Sequence, residues 1–231
     1  MATIEQLWLE CFNECIGSEE TRHGTNAIDW KAGGRKSKEW PDKENGDWWA
    51  KKGPEMLTNF INIWKQSGWQ PWVTPEGIPA IELELNIPYG EVLIKAYVDL
   101  IAVTPDGELV IVDWKTGANM PSNAMQLGLY ASSFEQQFGI KPAAGFYYNA
   151  RTAEFQPAEG FDLWTPALFT ELFKQFEFSV QNKIFLPNLG MMCKSCNVSD
   201  YCHANGGEFA PMIDPLYAIA QQPVTTTEEG K

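Results

Sequence analysis

The sequence lacks any apolar run long enough to cross a membrane, and no stretch of it resembles a secretory signal peptide. We therefore expect a cytoplasmic protein without a membrane partner, in which disulfide bonds are not the default role of cysteine. Positive charge is also scarce, because 17 lysines and arginines face 30 aspartates and glutamates, for a formal net charge of -13. Since duplex DNA is itself a polyanion, this balance argues against tight and lasting binding to duplex DNA.

No low-complexity linker and no internal repeat divides the chain. Hydrophobic residues make up 44% of its 231 residues, and ten tryptophans are among them, so the chain can bury a full core. We expect a single domain over residues 1–220 that includes a cysteine-bearing region at 190–205. The last residues, Gln221–Lys231, are polar and rich in threonine and glutamate, and we expect them to form a disordered tail.

Two segments in the middle of the chain predict a β-hairpin. Lys95–Val103 and Glu108–Trp114 are rich in β-branched and apolar residues, and Thr104-Pro105-Asp106-Gly107 between them is a turn sequence. Folding back through this turn brings Asp99 of the first strand beside Asp113 of the second.

Asp113 ends the apolar run Leu109–Val112, which indicates a buried central strand, and ligand sites of α/β sheets collect at such strand ends. Alternate residues of a strand share a face, so Asp113 and Lys115 point to one side and Trp114 to the other. The carboxylates of Asp99 and Asp113, the backbone carbonyl of Trp114 and water can form a shell for a hard cation such as Mg²⁺. Lys115 would then lie beside the bound water, to orient it, deprotonate it or neutralise charge on a phosphate under attack.

The segment Ala124–Phe138 predicts a helix downstream of this hairpin. Gln126 and Tyr130 are one turn apart on the same face of that helix. Both side chains can therefore reach the same substrate.

The remaining pattern completes an α/β fold, with a mixed central sheet flanked by helices. The predicted elements are a helical N-terminal part that includes Glu5–Ile16 and Asp47–Gln66, a sheet that begins near Ile81, a strand at Ala144–Ala150, a helix over Pro166–Gln181, and a cysteine-bound C-terminal turn.

The five cysteines fall into two groups. They are Cys11 and Cys15 near the start, and Cys193, Cys196 and Cys202 near the end. A Cys-x2-Cys pair brings two thiolates to chelating distance, and the third cysteine fills three of four ligand positions. Either Cys11 or Cys15 could supply the fourth ligand, with Cys11 favoured by its core-like neighbours, and His203 with a zinc ion is the alternative. Four thiolates suit zinc and an iron-sulfur cluster equally, and spacing alone does not separate them.

Taken together, Asp99, the stretch Asp113–Gly117 and Gln126-x-x-x-Tyr130 resemble the motifs of the PD-(D/E)XK nuclease superfamily, specifically its RecB-like branch. The Gln-x-x-x-Tyr element is what distinguishes that branch. The resemblance implies that Asp99 and Asp113 bind Mg²⁺ or Mn²⁺ and that Lys115 within Asp113–Gly117 is the catalytic lysine. It also implies that Gln126 and Tyr130 position the DNA.

The same resemblance favours iron over zinc. RecB-like nucleases of the AddB and CRISPR-associated kinds carry one cysteine before the nuclease core and a Cys-x2-Cys-x5-Cys group after it, and these hold a 4Fe-4S cluster. By this resemblance Cys193, Cys196 and Cys202 would bind a 4Fe-4S cluster together with Cys11 or Cys15. A structural zinc ion stays the alternative.

The sequence departs from the family at one position. Many RecB-like nucleases have a histidine ligand on the helix before the sheet, four residues after a glycine, whereas the residue four after Gly53 is Leu57. Glu55 or Glu82 could substitute as the further metal ligand, and Glu84 is another candidate. An exposed, solubilising role is the simpler interpretation of Glu55.

A basic segment could follow a nucleic acid strand. Lys31–Lys52 carries seven lysines and arginines against four acids, with tryptophans interleaved. Charge and aromatic stacking are what single-strand binding requires. A solvated loop followed by the core side of a helix explains the pattern equally well.

Three functions are compatible with these residues. The leading one is a metal-dependent DNA exonuclease that acts on ends or single strands in recombination, repair or phage DNA metabolism, with a recombination or replication protein as partner. The second is a nuclease-fold subunit that binds DNA or a partner with weak or no cleavage, which the missing histidine favours. The third is a structural zinc-binding interaction protein with a solvated acidic hairpin, and the intact set of motifs argues against it.

Overall fold

The computed structural model describes residues 3–34, 36–184 and 186–210. Within these ranges the chain forms two compact units, one built from residues 3–87 and 95–166 and the other from residues 88–94 and 167–210. The tail predicted at Gln221–Lys231 lies outside the described residues, and the single domain stays a prediction. None of the described helices combines the length and the hydropathy that crossing a membrane requires.

The first unit begins with two packed helices, α1 (Ile4–His23) and α2 (Gly46–Ser67). Thr3 starts α1 with a reciprocal capping box, which satisfies two backbone donors of the first turn. The indole of Trp8 lies directly against Gly53, where any β-carbon would collide with the ring. A glycine at this position therefore allows the two helices to approach each other.

Six strands form one mixed sheet, and a mixed sheet is what the sequence predicts. The prediction that it begins near Ile81 is wrong, because a short strand at Gln70–Pro71 precedes it, and the strand at Glu154–Pro157 was not predicted. They are β1 (Gln70–Pro71), β2 (Ile81–Tyr89), β3 (Val92–Val103), β4 (Leu109–Lys115), β5 (Ala144–Asn149) and β6 (Glu154–Pro157). The order is β1-β3-β4-β5-β6, and β2 also pairs with β3. The β3–β4 hairpin is antiparallel and β4 pairs with β5 in parallel, so the central strand β4 is hydrogen-bonded on both sides.

Two helices cover opposite faces of this sheet. On one face, Phe60 and Trp64 of α2 pack on a core of alternate strand residues that includes Val112 and Tyr148. On the other face lies α3 (Met125–Phe138), which connects β4 to β5 and contacts both strands. The alternation along β4 therefore turns its even-numbered residues toward α2 and its odd-numbered residues toward α3.

The second unit contains α4 (Pro166–Gln181), where the sequence predicts it, and a run of short 3₁₀ turns that carries the three C-terminal cysteines. Tyr89, from the tip of the β2–β3 hairpin, is buried against Phe169 and Phe173 of α4, with ring centroids 6.1 and 5.2 Å apart. These aromatic contacts form the core of this unit.

Candidate active site

Two aspartates lie together where β3 and β4 pair. Leu100 of β3 pairs with Val112 of β4, which places Asp99 beside Asp113. Oδ2 of Asp99 accepts a hydrogen bond of 2.7 Å from the backbone N–H of Trp114. Asp113 is only 2% exposed. The hairpin predicted from the sequence thus brings the two carboxylates together.

A chain of contacts joins Asp113 to α3. Nζ of Lys115 lies 2.5 Å from Oδ2 of Asp113 and donates to Oε1 of Gln126 at 3.0 Å. Nε2 of Gln126 in turn donates to the hydroxyl of Tyr130 at 2.9 Å. Four of the five side chains that the sequence proposes for the catalytic centre are therefore linked by contacts, and the fifth, Asp99, lies beside Asp113 on the paired strand.

Burial governs the electrostatics of this group. Desolvation raises the pKa of Asp113, the close contact with the positively charged Lys115 opposes this rise, and the negative charge of Asp99 adds to it. Burial likewise raises the pKa of Tyr130, with the two nearby carboxylates contributing. An environment that penalises the ionised carboxylate favours a further cation beside it.

The residues present fit a divalent cation. Oδ2 of Asp113 is buried and, among the described residues, no donor meets it with hydrogen-bond geometry, because the short contact with Lys115 is an ion pair only. A buried carboxylate oxygen without a donor is costly, and carboxylate oxygens are the ligands that Mg²⁺ prefers. The described side chains form no group of three or more acidic, histidine or cysteine ligands. Water and substrate would therefore complete the shell.

The proposed third carboxylates lie apart from this pair in the described structure. Glu55 is exposed and forms an ion pair of 2.8 Å with Lys52, and Glu82 is exposed at the start of β2. Glu84 is bound on the surface, where hydrogen bonds from Asn86, Lys95 and Tyr97 lower its pKa to about 2. Neither Glu82 nor Glu84 of β2 therefore forms a ligand group with Asp113 in the described structure.

The position of the missing histidine faces away from the aspartates. Leu57 lines an apolar cavity of about 450 Å³ together with Trp8, Trp114 and Tyr148. Trp114 and Tyr148 belong to the α2 face of the sheet, whereas Asp113 points to the α3 face. Leucine at this position is consistent with its apolar surroundings.

The three C-terminal cysteines share one cavity of the second unit. Cys193, Cys196, Cys202 and His203 line a space of about 500 Å³, and Sγ of Cys193 accepts a hydrogen bond from Gly190. The side chains do not converge into a metal-binding group among the described residues. Cys11 and Cys15 are exposed on α1, in the first unit. The described residues therefore show three cysteines around one cavity but no assembled four-ligand site.

Sequence reasoning missed Tyr147, which is buried opposite Asp113 on the parallel strand β5. Nζ of Lys115 lies 5.7 Å from the centroid of its ring, and its hydroxyl donates to the carbonyl of Asn123 at 2.9 Å. The apolar strand Ala144–Asn149 was visible in the sequence. Its register against β4, which decides the neighbour of Asp113, was not.

Arg151 was also missed, and it joins the turn after β4 to the segment before α2. Its guanidinium binds both carboxylate oxygens of Glu44, at 2.9 and 2.8 Å, and Nε donates to the carbonyl of Thr116 at 2.6 Å. The same guanidinium lies 5.0 Å from the ring centroid of Trp48. Thr116 directly follows Lys115, so the hydrogen bond from Nε of Arg151 holds the chain just beyond β4.

Two of the seven basic residues in Lys31–Lys52 form ion pairs within the protein. Lys51 pairs with Glu39 at 3.3 Å and lies over the ring of Trp40, and Lys52 pairs with Glu55. Trp48 is buried. These contacts favour the structural interpretation for this part of Lys31–Lys52.

The comparisons with known proteins agree with this geometry. A model of the PD-(D/E)XK nuclease superfamily matches residues 8–203 of the chain. The Gene 69 protein of Mycobacterium phage D29 is 33% identical over 180 residues, which cover 68% of this chain and 66% of the phage protein. The Gene 69 protein of Mycobacterium phage L5 is 30% identical over 199 residues, covering 68% of each chain. The matched region thus spans about two thirds of the length of these phage proteins.

Proposed function

The chain belongs to the PD-(D/E)XK nuclease superfamily, and on this premise we propose that it is a metal-dependent deoxyribonuclease that hydrolyses phosphodiester bonds. The observation that carries the proposal is the pair of Asp99 and Asp113 beside the ammonium of Lys115, at the end of a central strand. A buried carboxylate with a raised pKa, held next to a second acid and a cation, is typical of a functional site.

Asp99, Asp113 and the backbone carbonyl of Trp114 are the proposed ligands of Mg²⁺ or Mn²⁺. When bound, such a cation polarises the phosphate and lowers the pKa of a coordinated water, which can then act as the nucleophile. Glu55 or Glu82 is the proposed further protein ligand, although both lie on the surface in the described structure.

Lys115 and α3 serve the substrate in this proposal. We expect the ammonium of Lys115 to hold the attacking water or to neutralise charge that builds on the phosphate. Gln126 and Tyr130 are proposed to hold the DNA backbone, since their amide and phenol groups are hydrogen-bonding groups and are not usual magnesium ligands.

We propose the RecB-like branch and an exonuclease that acts on DNA ends or single strands, in phage DNA metabolism, recombination or repair. The similarity to two mycobacteriophage proteins supports a phage setting. The net charge of -13 supports brief engagement through metal ions, since an acidic surface repels duplex DNA. A recombination or replication protein as partner and a cytoplasmic location belong to the same proposal.

A second candidate function is a nuclease-fold subunit that binds DNA or a partner and cleaves weakly or not at all. Leu57 at the position of the family's histidine ligand favours it, as does the lack of a third acidic or histidine ligand among the described residues.

A 4Fe-4S cluster on Cys193, Cys196 and Cys202 with Cys11 or Cys15 is a separate proposal. It rests on the Cys-x2-Cys-x5-Cys spacing and on the shared cavity of the three C-terminal cysteines. Zinc on the same cysteines, with His203 as the fourth ligand, is the alternative.

The experiment is a cleavage assay with Mg²⁺ or Mn²⁺ on four matched DNA substrates: linear and circular, each single- and double-stranded. We expect cleavage of linear substrates, dependent on the metal and lost in Asp113→Ala. Gln126→Ala and Tyr130→Phe should weaken cleavage and DNA binding more than metal binding. Cleavage of circular DNA would replace the exonuclease with an endonuclease.

Binding of DNA by the purified protein without cleavage in either metal would favour the second function. Absence of both binding and cleavage, in a colourless protein that contains zinc, would favour the structural zinc protein. Cleavage that survives Asp113→Ala would contradict the proposed active site itself.

A further inference from the structure

Tyr147 contacts two parts of the candidate site from one position. Its backbone pairs with Asp113 across the parallel β4–β5 ladder, and its side chain is 4% exposed on the face that carries Lys115. The ring and the hydroxyl make different contacts, and each can be removed without the other.

The ring of Tyr147 faces the ammonium of Lys115. Nζ lies 5.7 Å from the ring centroid, within the range in which the negative face of an aromatic ring attracts a cation. Asp113 and Gln126 contact the same nitrogen at 2.5 and 3.0 Å. The ammonium therefore contacts a carboxylate, an amide oxygen and an aromatic ring. These contacts restrict the rotamers of the lysine side chain.

The hydroxyl of Tyr147 holds the start of α3. It donates to the backbone carbonyl of Asn123 at 2.9 Å, and the side chain of Asn123 accepts from the N–H of Met125. Ala124, at the N-cap, offers no capping side chain.

We propose that Tyr147 is a positioning residue of the nuclease, whose ring orients the ammonium of Lys115 and whose hydroxyl fixes the helix start that presents Gln126 to the same ammonium. The inference rests on the proposed function, because it concerns how the catalytic lysine is held. Both contacts of Tyr147 therefore act on the position of Lys115, since Gln126 is itself a hydrogen-bond partner of Lys115.

Steady-state kinetics of DNA cleavage separate the two contacts. Tyr147→Leu removes the ring and should lower kcat roughly tenfold, within the range of a lost cation–π contact, with KM nearly unchanged. Tyr147→Phe keeps the ring and should restore most of kcat. Tyr147→Met replaces the leucine variant if that variant does not fold, and a full kcat in the folded ringless variant would overturn the proposal.

Coupling to Gln126 distinguishes positioning from a general structural role. Because both residues act through Lys115, Tyr147→Leu combined with Gln126→Ala should lower kcat by less than the product of the single effects. Independent, multiplicative losses would contradict a shared action on the lysine.

A spectroscopic measurement keeps this test separate from the proposed function. In protein labelled with ¹³C at the lysine ε-carbon, the Lys115 resonance is identified by its loss in Lys115→Ala. It should shift in Tyr147→Leu and stay in Tyr147→Phe, because only the first variant removes the ring current. Amide exchange of Met125 and Gly128, whose N–H groups donate to the Asn123 side chain and to the Ala124 carbonyl, should speed up in Tyr147→Phe, which loses the hydrogen bond from the hydroxyl.

The matched control is Tyr148→Phe. Tyr148 is the next residue of β5, faces the α2 core, and has a buried hydroxyl with no partner among the described residues. The Tyr148→Phe variant should have the same kcat, Lys115 resonance and amide exchange rates as the unmodified protein. If the unmodified protein cuts no DNA while the variants show the expected changes, the nuclease is refuted and the positioning role is kept. An unchanged Lys115 resonance in Tyr147→Leu, together with unchanged exchange in Tyr147→Phe, would refute the positioning role.

Discussion

Nζ of Lys115 lies 2.5 Å from Oδ2 of Asp113, yet the pKa of this carboxyl is raised above the ordinary value of 3.8. Burial of Asp113 therefore outweighs its lysine partner. A second positive charge would stabilise the ionised carboxylate of Asp113. The neighbouring Asp99 provides a second carboxylate where such a charge would bind.

Lys115→Ala should reduce metal-dependent cleavage by about a hundredfold or more, the size typical for loss of a group that stabilises charge in the transition state. The fold should persist, because the lysine side chain is partly exposed at the end of β4. Cleavage rates and circular dichroism check both parts. Lys174→Ala, an exposed lysine of α4, is the control. Equal activity in both variants would remove Lys115 from the mechanism.

Metal binding should weaken as the pH falls, because protonated Asp113 is a poor ligand. With a raised pKa in the folded protein, the loss should begin at a higher pH than for an ordinary aspartate. The affinity for Mn²⁺, measured by calorimetry at several pH values between about 4 and 8, checks this expectation.

The same pKa shift predicts the stability of the metal-free protein. A carboxyl whose folded pKa is raised ionises more easily in the unfolded chain, so the free energy of unfolding falls as pH rises from 3.8 through the raised value. Asp113→Asn should remove this fall and raise the melting temperature at neutral pH, while abolishing stabilisation by Mg²⁺. A lower melting temperature for the variant would mean that the ion pair with Lys115 prevails.

Asp99 should show two separable roles, as metal ligand and as hydrogen-bond acceptor. Asp99→Ala leaves the N–H of Trp114 without its acceptor, at a cost of about 1–3 kcal/mol in the free energy of unfolding. Asp99→Asn keeps an acceptor oxygen and should be more stable than the alanine variant, although both should lose cleavage. Urea unfolding of the two variants measures the difference, and equal stabilities would rule out the structural role.

Arg151→Lys should destabilise the protein, although the substitution keeps the positive charge. Lysine cannot reproduce the bidentate pair with Glu44 or the bond to the carbonyl of Thr116, and both partners of the pair are mostly buried. We expect a loss of about 1.5–3 kcal/mol in the free energy of unfolding, the size of hydrogen bonds lost from a charged group, checked by thermal unfolding. Lys51→Ala, which breaks an exposed pair with Glu39, should change stability little.

Cys196→Ser should lose bound metal and lower the melting temperature if the C-terminal cysteines hold a cluster or a zinc ion, because ligation contributes directly to folding. Iron and zinc analysis of protein purified without oxygen identifies the metal. Cys11→Ser and Cys15→Ser are compared with it, and only one of them should lose the metal. If both keep it, the N-terminal ligand is wrong and His203 becomes the fourth ligand.

The local pattern was enough to predict most elements and the central group. The turn at Thr104–Gly107 and the alternation along β4 are short-range properties, so they place Asp99, Asp113 and Lys115 together without knowledge of the rest of the fold. Gln126 and Tyr130 share a helix face for the same reason. These residues could be found because their spacing within one hairpin and one helix already carries the geometry.

Contacts between distant segments could not be found in this way. Tyr147 lies beside Asp113 through the β4–β5 register, and Arg151 reaches Glu44, which is 107 residues away in sequence. Neither partner is marked by composition or periodicity. The same holds for Glu55, whose helix position suggested a ligand while its carboxylate forms a surface ion pair with Lys52.

The sequence by itself determined the mixed α/β fold, the acidic pair, the lysine and the helix face opposite them, because hydrophobic period and turn chemistry act over a few residues. Only the tertiary structure decided that Oδ2 of Asp113 is buried without a hydrogen bond among the described residues, and which aromatic ring faces Lys115. Burial and strand register are properties of the packed sheet, since they depend on which segments meet and not on the order of residues within any one of them.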